Sequence, residues 1–214
     1  GPNSAVDSSR SALYSNGLWP HLEAPKNRHN SRPNSNSPMD FILIEDFGTR
    51  GLMGDIRQTD DLEEGGNGLR NDFYMFYRNI GRSDKLVGSR GRWGLGKVVY
   101  PNASRIGAFF GLTVRIGETR RLLMGQSQLK THTVDGIKYR PYGFFAICEE
   151  NQPPMPFEDD CVVNAFCKDF CVSRTGEPGL SIVIPFPAAE INGVVIRRAV
   201  IRHYFYPILI GQLS

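Results

Sequence analysis

The chain contains 214 residues, 40% of them hydrophobic, which is enough for one domain with a real core. Its net charge of +3 comes from 25 basic and 22 acidic residues spread along the chain, so charge alone gives no argument for nucleic-acid binding. No apolar run reaches the roughly 18 residues that a membrane span needs, and residues 1–5 lack the basic and apolar regions of a signal peptide. These features predict a soluble cytoplasmic protein without a membrane partner.

The cysteine spacing argues against a zinc site. Cys148, Cys161, Cys167 and Cys171 form no CxxC pair, whereas zinc sites usually combine short paired spacings with further Cys or His ligands. We therefore expect free and mostly buried thiols in a reducing compartment.

The first 38 residues are rich in Ser, Asn, Pro and Arg, and this composition predicts a polar segment that is mostly loop. The exception is residues 18–22, a small apolar patch that could pack on the domain. Gly1-Pro2 at the start is typical of a protease cleavage scar.

Residues 39–190 carry the patterns of a mixed domain, with a meander of antiparallel strands in the middle. Asp135-Gly136 is a strong hairpin signal, and Asp159 and Asp160 are plausible helix caps. The predicted strands are 40–45, 105–116, 121–134, 139–147 and 179–186, and the predicted helices are 73–80, 97–103, 161–173 and a long apolar helix from 192, bent or stopped near 207.

The end of the first strand predicts a site for a purine base. An Asp that is buried at a strand end, with its carboxylate free of ion pairs, can accept a hydrogen bond from an exocyclic amine such as that of adenine. Asp46 is the candidate for this role. Gly48 and Gly51 would let the chain turn tightly beneath the base without a Cβ in the way.

A second glycine cluster, which opens the predicted helix 97–103, predicts a site for phosphates. Backbone N–H groups are exposed where a helix begins, and the helix dipole favours anions there. A Walker loop is excluded because Val98 follows the lysine, and a Rossmann motif is excluded because no strand immediately precedes the cluster. The candidate ligands are Gly91, Gly94, Gly96 and Lys97, with Lys85 or Arg92 reaching the same anion when the insert folds over it.

Each of these signals also has an ordinary structural explanation. Asp46 followed by glycines is typical of a turn, and a lone glycine-rich cluster is weak evidence for a nucleotide. Their order favours a nucleotide site, because an apolar strand precedes the first signal and a helix follows the second. The polar insert between them, residues 51–90, is expected to be mobile.

Asp46-Phe47-Gly48 and the cluster from Gly91 to Lys97 together resemble the two glycine boxes of the GHKL superfamily of ATPases, which includes gyrase, heat-shock chaperones, histidine kinases and MutL. The resemblance covers residues 41–185, and the insert looks most like that of microrchidia-like bacterial ATP-binding proteins. It implies an α/β fold class, as an α+β two-layer sandwich with a mixed, mostly antiparallel sheet backed by helices, the Bergerat fold. It also implies three parts: a polar N-terminal segment (1–38) that could hold an incomplete N-box, an ATP-binding domain (39–190) with a lid at about 51–90, and a C-terminal apolar helix (191–214) that could lead to a further domain.

The resemblance also gives each motif residue a role. By position, Asp46 would bind adenine and Gly48 and Gly51 would support it. The first box is one residue longer than the usual Asp-x-Gly-x-Gly, which puts Gly51 one position beyond the usual second glycine. Leu180 occupies a third short motif beside the base, where a threonine is frequent, and Ser181 is its weak substitute. The residues that would bind phosphates under the lid are Gly91, Arg92, Gly94, Leu95, Gly96 and Lys97, together with Lys85.

Upstream of the first box, the superfamily has a helix with a glutamate base four residues before an asparagine that holds Mg²⁺. Asn3 is the candidate for that asparagine, but no Glu can precede it by four residues, so the catalytic residue stays unknown. Glu23 and Glu45 are the nearby carboxylates that could substitute. Three explanations stay open, namely a truncated chain, omitted residues, or a domain that binds without hydrolysis, and we favour missing sequence.

These features predict a module that uses ATP and Mg²⁺, in which the nucleotide closes a lid and drives homodimerisation or a partner domain. One alternative is a nucleotide-sensing module without turnover. Another is the catalytic domain of a protein-histidine kinase, although no helix with a substrate histidine precedes Phe41. His132 is expected to be a packed or surface residue, and His203 lacks an acidic neighbour to orient it. DNA association and antiviral defence follow only by analogy with microrchidia and MutL relatives.

Overall fold

The computed structural model describes residues 4–27, 32–60, 71–79 and 96–211, and its centre is a six-stranded sheet. The strands are β1 Ser4–Val6, β2 Met39–Glu45, β3 Ala108–Val114, β4 Arg121–Gln128, β5 His132–Val134, β6 Ile137–Tyr139, β7 Tyr142–Phe145 and β8 Gly179–Pro185. The helices are α1 Ser8–Ser15, α2 Trp19–Glu23, α3 Asp72–Tyr77, α4 Gly96–Ala103, α5 Asp160–Asp169 and α6 Gly193–Leu209.

The strand order of the sheet is β1-β2-β8-β3-β4-β7, with β5 and β6 forming a separate hairpin. Every strand pairing within the described ranges is antiparallel. Insertion of β8 between β2 and β3 brings two distant parts of the chain together, because Glu45 at the end of β2 lies opposite Ser181 near the start of β8. The predicted α+β sandwich with a mostly antiparallel sheet is confirmed.

The sheet carries an apolar core on each face, since successive side chains of a strand point to opposite sides. On β3, Phe110 belongs to the first core and Phe109 to the second. The first core takes side chains from α1, α2 and α5, whereas the second takes side chains from α3 and α4. Helices therefore cover both faces of the sheet.

The prediction that the N-terminal segment is mostly loop is wrong. Asp7 caps α1 by accepting hydrogen bonds from the backbone N–H groups of Ser9 and Arg10. About two turns after the cap, Tyr14 packs edge-on against Phe170, with 4.9 Å between ring centroids. A few apolar side chains thus hold a polar helix on the sheet, and local composition does not reveal this. The apolar patch 18–22 does pack on the domain, through Trp19 and Leu22.

In the C-terminal half of the domain, the predicted helices and the strand β8 are present, but two of the predicted strands are interrupted. Asp159 caps α5, Phe166 is buried on this helix, and Phe170 is buried at its C-cap. The two long strands predicted at 121–134 and 139–147 are each interrupted, because β5 and β6 form the hairpin at Asp135-Gly136 before β7 returns to pair with β4.

All four cysteines are free, but Cys148, Cys161 and Cys171 are exposed and Cys167 is half-buried, so their predicted burial is wrong.

The helix predicted from 192 is α6, which is capped by the Asn192 side chain and runs two residues past Pro207. None of its residues is buried. No helix in the described parts of the chain is long and apolar enough to cross a membrane.

A pair of histidines fastens α2 to the β5–β6 hairpin. Nδ1 of His21 lies 2.8 Å from Nε2 of His132, whose own Nδ1 lies 2.7 Å from the Lys130 carbonyl oxygen. His132 must donate from Nδ1 to that carbonyl, so its Nε2 accepts a hydrogen bond from His21 when both rings are neutral. His132 is 3% exposed and stacks on Tyr139, as expected for a packed histidine.

This pair predicts a loss of stability in mild acid. Burial and the neighbouring charge of His132 lower the pKa of His21, so the unfolded chain binds a proton more readily than the folded one. The free energy of unfolding should therefore fall as the pH drops below about 6.5, the ordinary histidine pKa. Urea denaturation at pH 7.5 and pH 5.5 measures this fall, which His21→Ala should reduce and His203→Ala, at an exposed position on α6, should leave unchanged. An undiminished fall in His21→Ala would contradict the assignment.

Candidate functional site

The site predicted around Asp46 lies at one edge of the sheet, where β2 ends beside the start of β8. The backbone N–H of Asp46 donates to the Leu180 carbonyl oxygen at 3.0 Å, and its Oδ1 accepts from the Leu180 N–H at 2.5 Å. The carboxylate is thus held against the neighbouring strand by a backbone group. The orientation of the carboxylate is fixed even though Asp46 lies at the edge of the sheet.

The environment of Asp46 differs from the predicted one in two respects. The side chain is 49% exposed rather than buried, because the chain leaves the sheet at this residue. It is also not free of ion pairs, since Oδ1 lies 3.7 Å from Nη2 of Arg174. Among the described residues, Leu180 and Arg174 contact the same oxygen, Oδ1, and Oδ2 has only the Thr49 hydroxyl, at 3.4 Å. Within this part of the chain, the fold therefore uses mainly one oxygen of a half-exposed carboxylate.

The glycine turn after Asp46 is fastened to the end of β3. Gly48 and Gly51 both have positive φ angles, of 74° and 70°. Gly51 lies so close to β3 that a Cβ there would be 2.2 Å from the Val114 carbonyl oxygen. Thr113 completes the attachment, since its Oγ1 accepts from the Leu52 N–H at 3.0 Å and donates to the Gly179 carbonyl oxygen at 2.9 Å. The turn, β3 and β8 thus meet beneath Asp46.

Ser181, the predicted contact beside the base, lies behind Asp46 and is 1% exposed. Its hydroxyl accepts from Nε of Arg174 at 2.9 Å and donates to Oε1 of Glu45 at 2.8 Å. Both hydrogen-bonding directions of the hydroxyl are therefore occupied by protein groups. Ser181 supports the site from within the fold and presents no free group to a ligand.

Glu45 and Glu23 are the two carboxylates considered as substitutes for the catalytic base. Burial opposes the ionisation of Glu45, but hydrogen bonds from Ser173, Ser181 and the Arg174 N–H outweigh it and lower the pKa of this carboxyl. A carboxylate held in its ionised form by four donors is a poor proton acceptor. Glu23 is the last residue of α2.

Tyr100, on the helix that follows the second glycine cluster, is electrostatically linked to Asp46. Burial and then the negative charge of Asp46 raise the pKa of Tyr100. About one turn later, the carboxyl end of α4 is fixed beyond the end of β8, where the Ala188 N–H donates to the Ala103 carbonyl oxygen at 2.8 Å. α4 begins with Gly96 and Lys97.

The remaining predicted ligands lie outside the described residues: Asn3, Lys85, Gly91, Arg92, Gly94 and Leu95. The parts of the chain that are described contain no group of three or more His, Cys, Asp or Glu side chains arranged to hold a metal ion. The structure thus brings together Asp46, Gly48, Gly51 and the turn before Ser181.

Sequence reasoning missed two side chains of this site, Arg174 and Thr113. Arg174 stands in Ser-Arg-Thr-Gly-Glu-Pro-Gly, whose composition indicates an ordinary surface loop, and Thr113 is one polar residue in an apolar strand. Comparison with known proteins gives no match to a family model, to a curated protein or to a solved structure. A function for this chain therefore has to be argued from its own residues.

Proposed function

We infer that this chain is the ATP-binding module of a GHKL-type ATPase, in which Mg²⁺-ATP closes a lid and drives dimerisation or a partner domain. The lid belongs to residues 51–90 but leaves out Gly51 and α3, which pack on the sheet. The observation that carries this proposal is Oδ2 of Asp46, which has only a 3.4 Å contact among the described residues and belongs to a half-exposed carboxylate whose other oxygen is fixed by the Leu180 N–H. An ionised carboxylate is an acceptor only, so this oxygen suits a donor such as the 6-amino group of adenine.

The position of α4 supports a phosphate site next to the base. α4 has eight residues, and its first-turn N–H groups have no partners within the helix. The helix rises about 1.5 Å per residue, which puts its amino end roughly 6 Å along the axis from Tyr100, the residue that senses the charge of Asp46. In the proposal, phosphates bind there to Gly91, Gly94, Leu95, Gly96 and Lys97, with Lys85 and Arg92 from the lid.

A second candidate function is nucleotide binding without turnover, and the described carboxylates favour it. The helix α1, which follows β1 upstream of the first glycine box, has the sequence Ser-Ser-Arg-Ser-Ala-Leu-Tyr-Ser and contains no acidic side chain. Glu45 is held ionised by hydrogen bonds, so it does not supply the missing base. Asn3 stays the proposed Mg²⁺ ligand in both functions.

The cellular setting is part of the same proposal. A cytoplasmic location agrees with four free cysteines, because reducing compartments keep thiols unpaired. An ATP-dependent homodimer is the proposed functional state. DNA association and antiviral defence remain analogies with microrchidia and MutL proteins.

Replacing Asp46 by Asn tests the assigned base site. We expect Asp46→Asn to weaken Mg²⁺-ATP binding roughly 10- to 100-fold, the range for losing one hydrogen bond to a charged group. Calorimetry with ATP and ADP measures the change. The matched control is Asp40→Asn, an exposed carboxylate at the other end of the same strand, which should bind ATP like the unchanged protein.

Equal ATP affinity in the Asp46→Asn and Asp40→Asn proteins would reject the site. A phosphate-release assay then separates the two candidate functions. Steady Mg²⁺-dependent release of phosphate would remove the option of binding without turnover, whereas tight binding with no release would support it.

A further inference from the structure

Arg174 is a buried cation directly behind the proposed base site. It follows α5 in the connection to β8, and its side chain has no solvent-exposed area. A buried charge is costly unless its donors are satisfied, so the groups that surround it show what the residue is for. Burial lowers the pKa of the guanidinium, although the charges of Asp46, Glu45 and Glu177 oppose this.

The guanidinium group joins the two segments that form the site. Nε donates to the Ser181 hydroxyl at 2.9 Å, and Nη1 donates to the Glu177 carbonyl oxygen at 2.6 Å. Nη2 donates to the backbone carbonyl oxygen of Asp46. One planar group thus fixes the end of β2, the turn before β8 and the start of β8 relative to one another.

Arg174 also fixes the residue that follows Asp46. Its guanidinium carbon lies 4.5 Å from the centroid of the Phe47 ring, a distance typical of a cation–π contact. The backbone of Asp46 is therefore held at its own carbonyl oxygen and through the side chain of the next residue, Phe47. The Leu180 N–H holds Oδ1, so this hydrogen bond and the contacts of Arg174 together set the direction of Oδ2.

We propose that Arg174 is a positioning residue that gives this site its preference for a purine bearing a 6-amino group, by holding Oδ2 of Asp46 where that amine donates. The proposal rests on the proposed function. Arg174 itself is too deeply buried to contact a nucleotide, so its effect passes through Asp46. A purine nucleotide without the amine makes no use of Oδ2, and its binding should be insensitive to Arg174.

Lysine does not reproduce this arrangement. The guanidinium group of Arg174 is a rigid, planar fork that donates its three hydrogen bonds in different directions. A lysine ammonium is instead a single point charge on a flexible stem. Arg174→Lys keeps the positive charge and much of the volume but loses the geometry. It therefore separates positioning from charge.

The test compares two nucleotides in three proteins by calorimetry in the presence of Mg²⁺. The nucleotides are ATP and purine riboside triphosphate, which lacks the 6-amino group. The unchanged chain should prefer ATP by roughly 10- to 100-fold, as one hydrogen bond to a carboxylate allows. In Arg174→Lys the affinity for ATP should exceed that for the analogue by no more than about threefold. The affinity for the analogue itself should change by less than about threefold. Arg120→Lys, a half-exposed arginine paired with Glu118, should keep the full preference.

Each other outcome is decisive. An unchanged preference in Arg174→Lys overturns the proposal and leaves the ATP site intact. An equal loss of affinity for both nucleotides also overturns the proposal, because Arg174 would then serve stability alone. Failure of the unchanged chain to bind either nucleotide rejects the proposed function itself. If Arg174→Lys does not fold, Phe47→Leu at an exposed position removes the ring contact, and an unchanged ATP preference in that variant overturns the proposal.

Discussion

Replacing Gly51 by alanine is expected to lower the free energy of unfolding by about 4 kcal/mol, combining backbone strain with overpacking. The added Cβ would lie 2.2 Å from the Val114 carbonyl oxygen and 3.0 Å from Oγ1 of Thr113. The first of these is backbone at the end of β3, a strand that is paired on both sides, and it cannot swing away. The φ angle of +70° adds strain for any residue with a side chain. Such a loss is a large share of the 5–15 kcal/mol that stabilises a typical domain.

Gly48→Ala is the matched control for this prediction. Gly48 has nearly the same φ angle, +74°, but nothing lies within 4 Å of an added Cβ. Only the backbone strain remains, so the expected loss is about 1 kcal/mol. Urea denaturation of both variants, followed by circular dichroism, measures the difference. Equal losses in the two proteins would show that the turn is not fastened to β3 as the structure places it.

These two glycines illustrate what the sequence could and could not predict. The motif placed both on a turn, and their positive φ angles agree with that. The spacing put Gly51 one position beyond the usual second glycine, yet Gly51 is the one that the sheet constrains. Close approach to a strand more than sixty residues further along the chain is a tertiary contact, and no local pattern encodes it.

The same limit explains the errors elsewhere. Short apolar runs bounded by Gly or Pro located β2 and β8 from sequence, and helix caps located α5 and α6, because these signals are local. The small helix α1 was missed because its place depends on one tyrosine entering a core made by distant aromatic residues. Arg174 was missed for the opposite reason, since a charged residue in a polar loop predicts exposure and only the folded chain shows that it is buried.

Gly179→Ala is expected to weaken nucleotide binding roughly 100-fold in a protein that still folds. Gly179 begins β8 with a φ angle of +145°, and an added Cβ would lie 2.4 Å from the Asp46 carbonyl oxygen, 2.6 Å from its Oδ1 and 2.8 Å from Nη1 of Arg174. All three atoms belong to the contacts that orient the carboxylate. Relief of these overlaps must move Asp46, because the strand that carries Gly179 is paired on both sides.

The expected cost to the free energy of unfolding is about 3 kcal/mol, from a strained φ angle and a displaced neighbour. The expected effect on ATP affinity is a loss of roughly 100-fold, because the hydrogen bond to the base is removed rather than weakened. Calorimetry below the unfolding transition separates the two effects. Gly176→Ala, in the same turn with nothing within 4 Å of an added Cβ, should change stability by less than about 0.5 kcal/mol and bind ATP normally. Normal ATP affinity in a folded Gly179→Ala protein would mean that the nucleotide does not depend on the position of Asp46, and the proposed site would then be wrong at its centre.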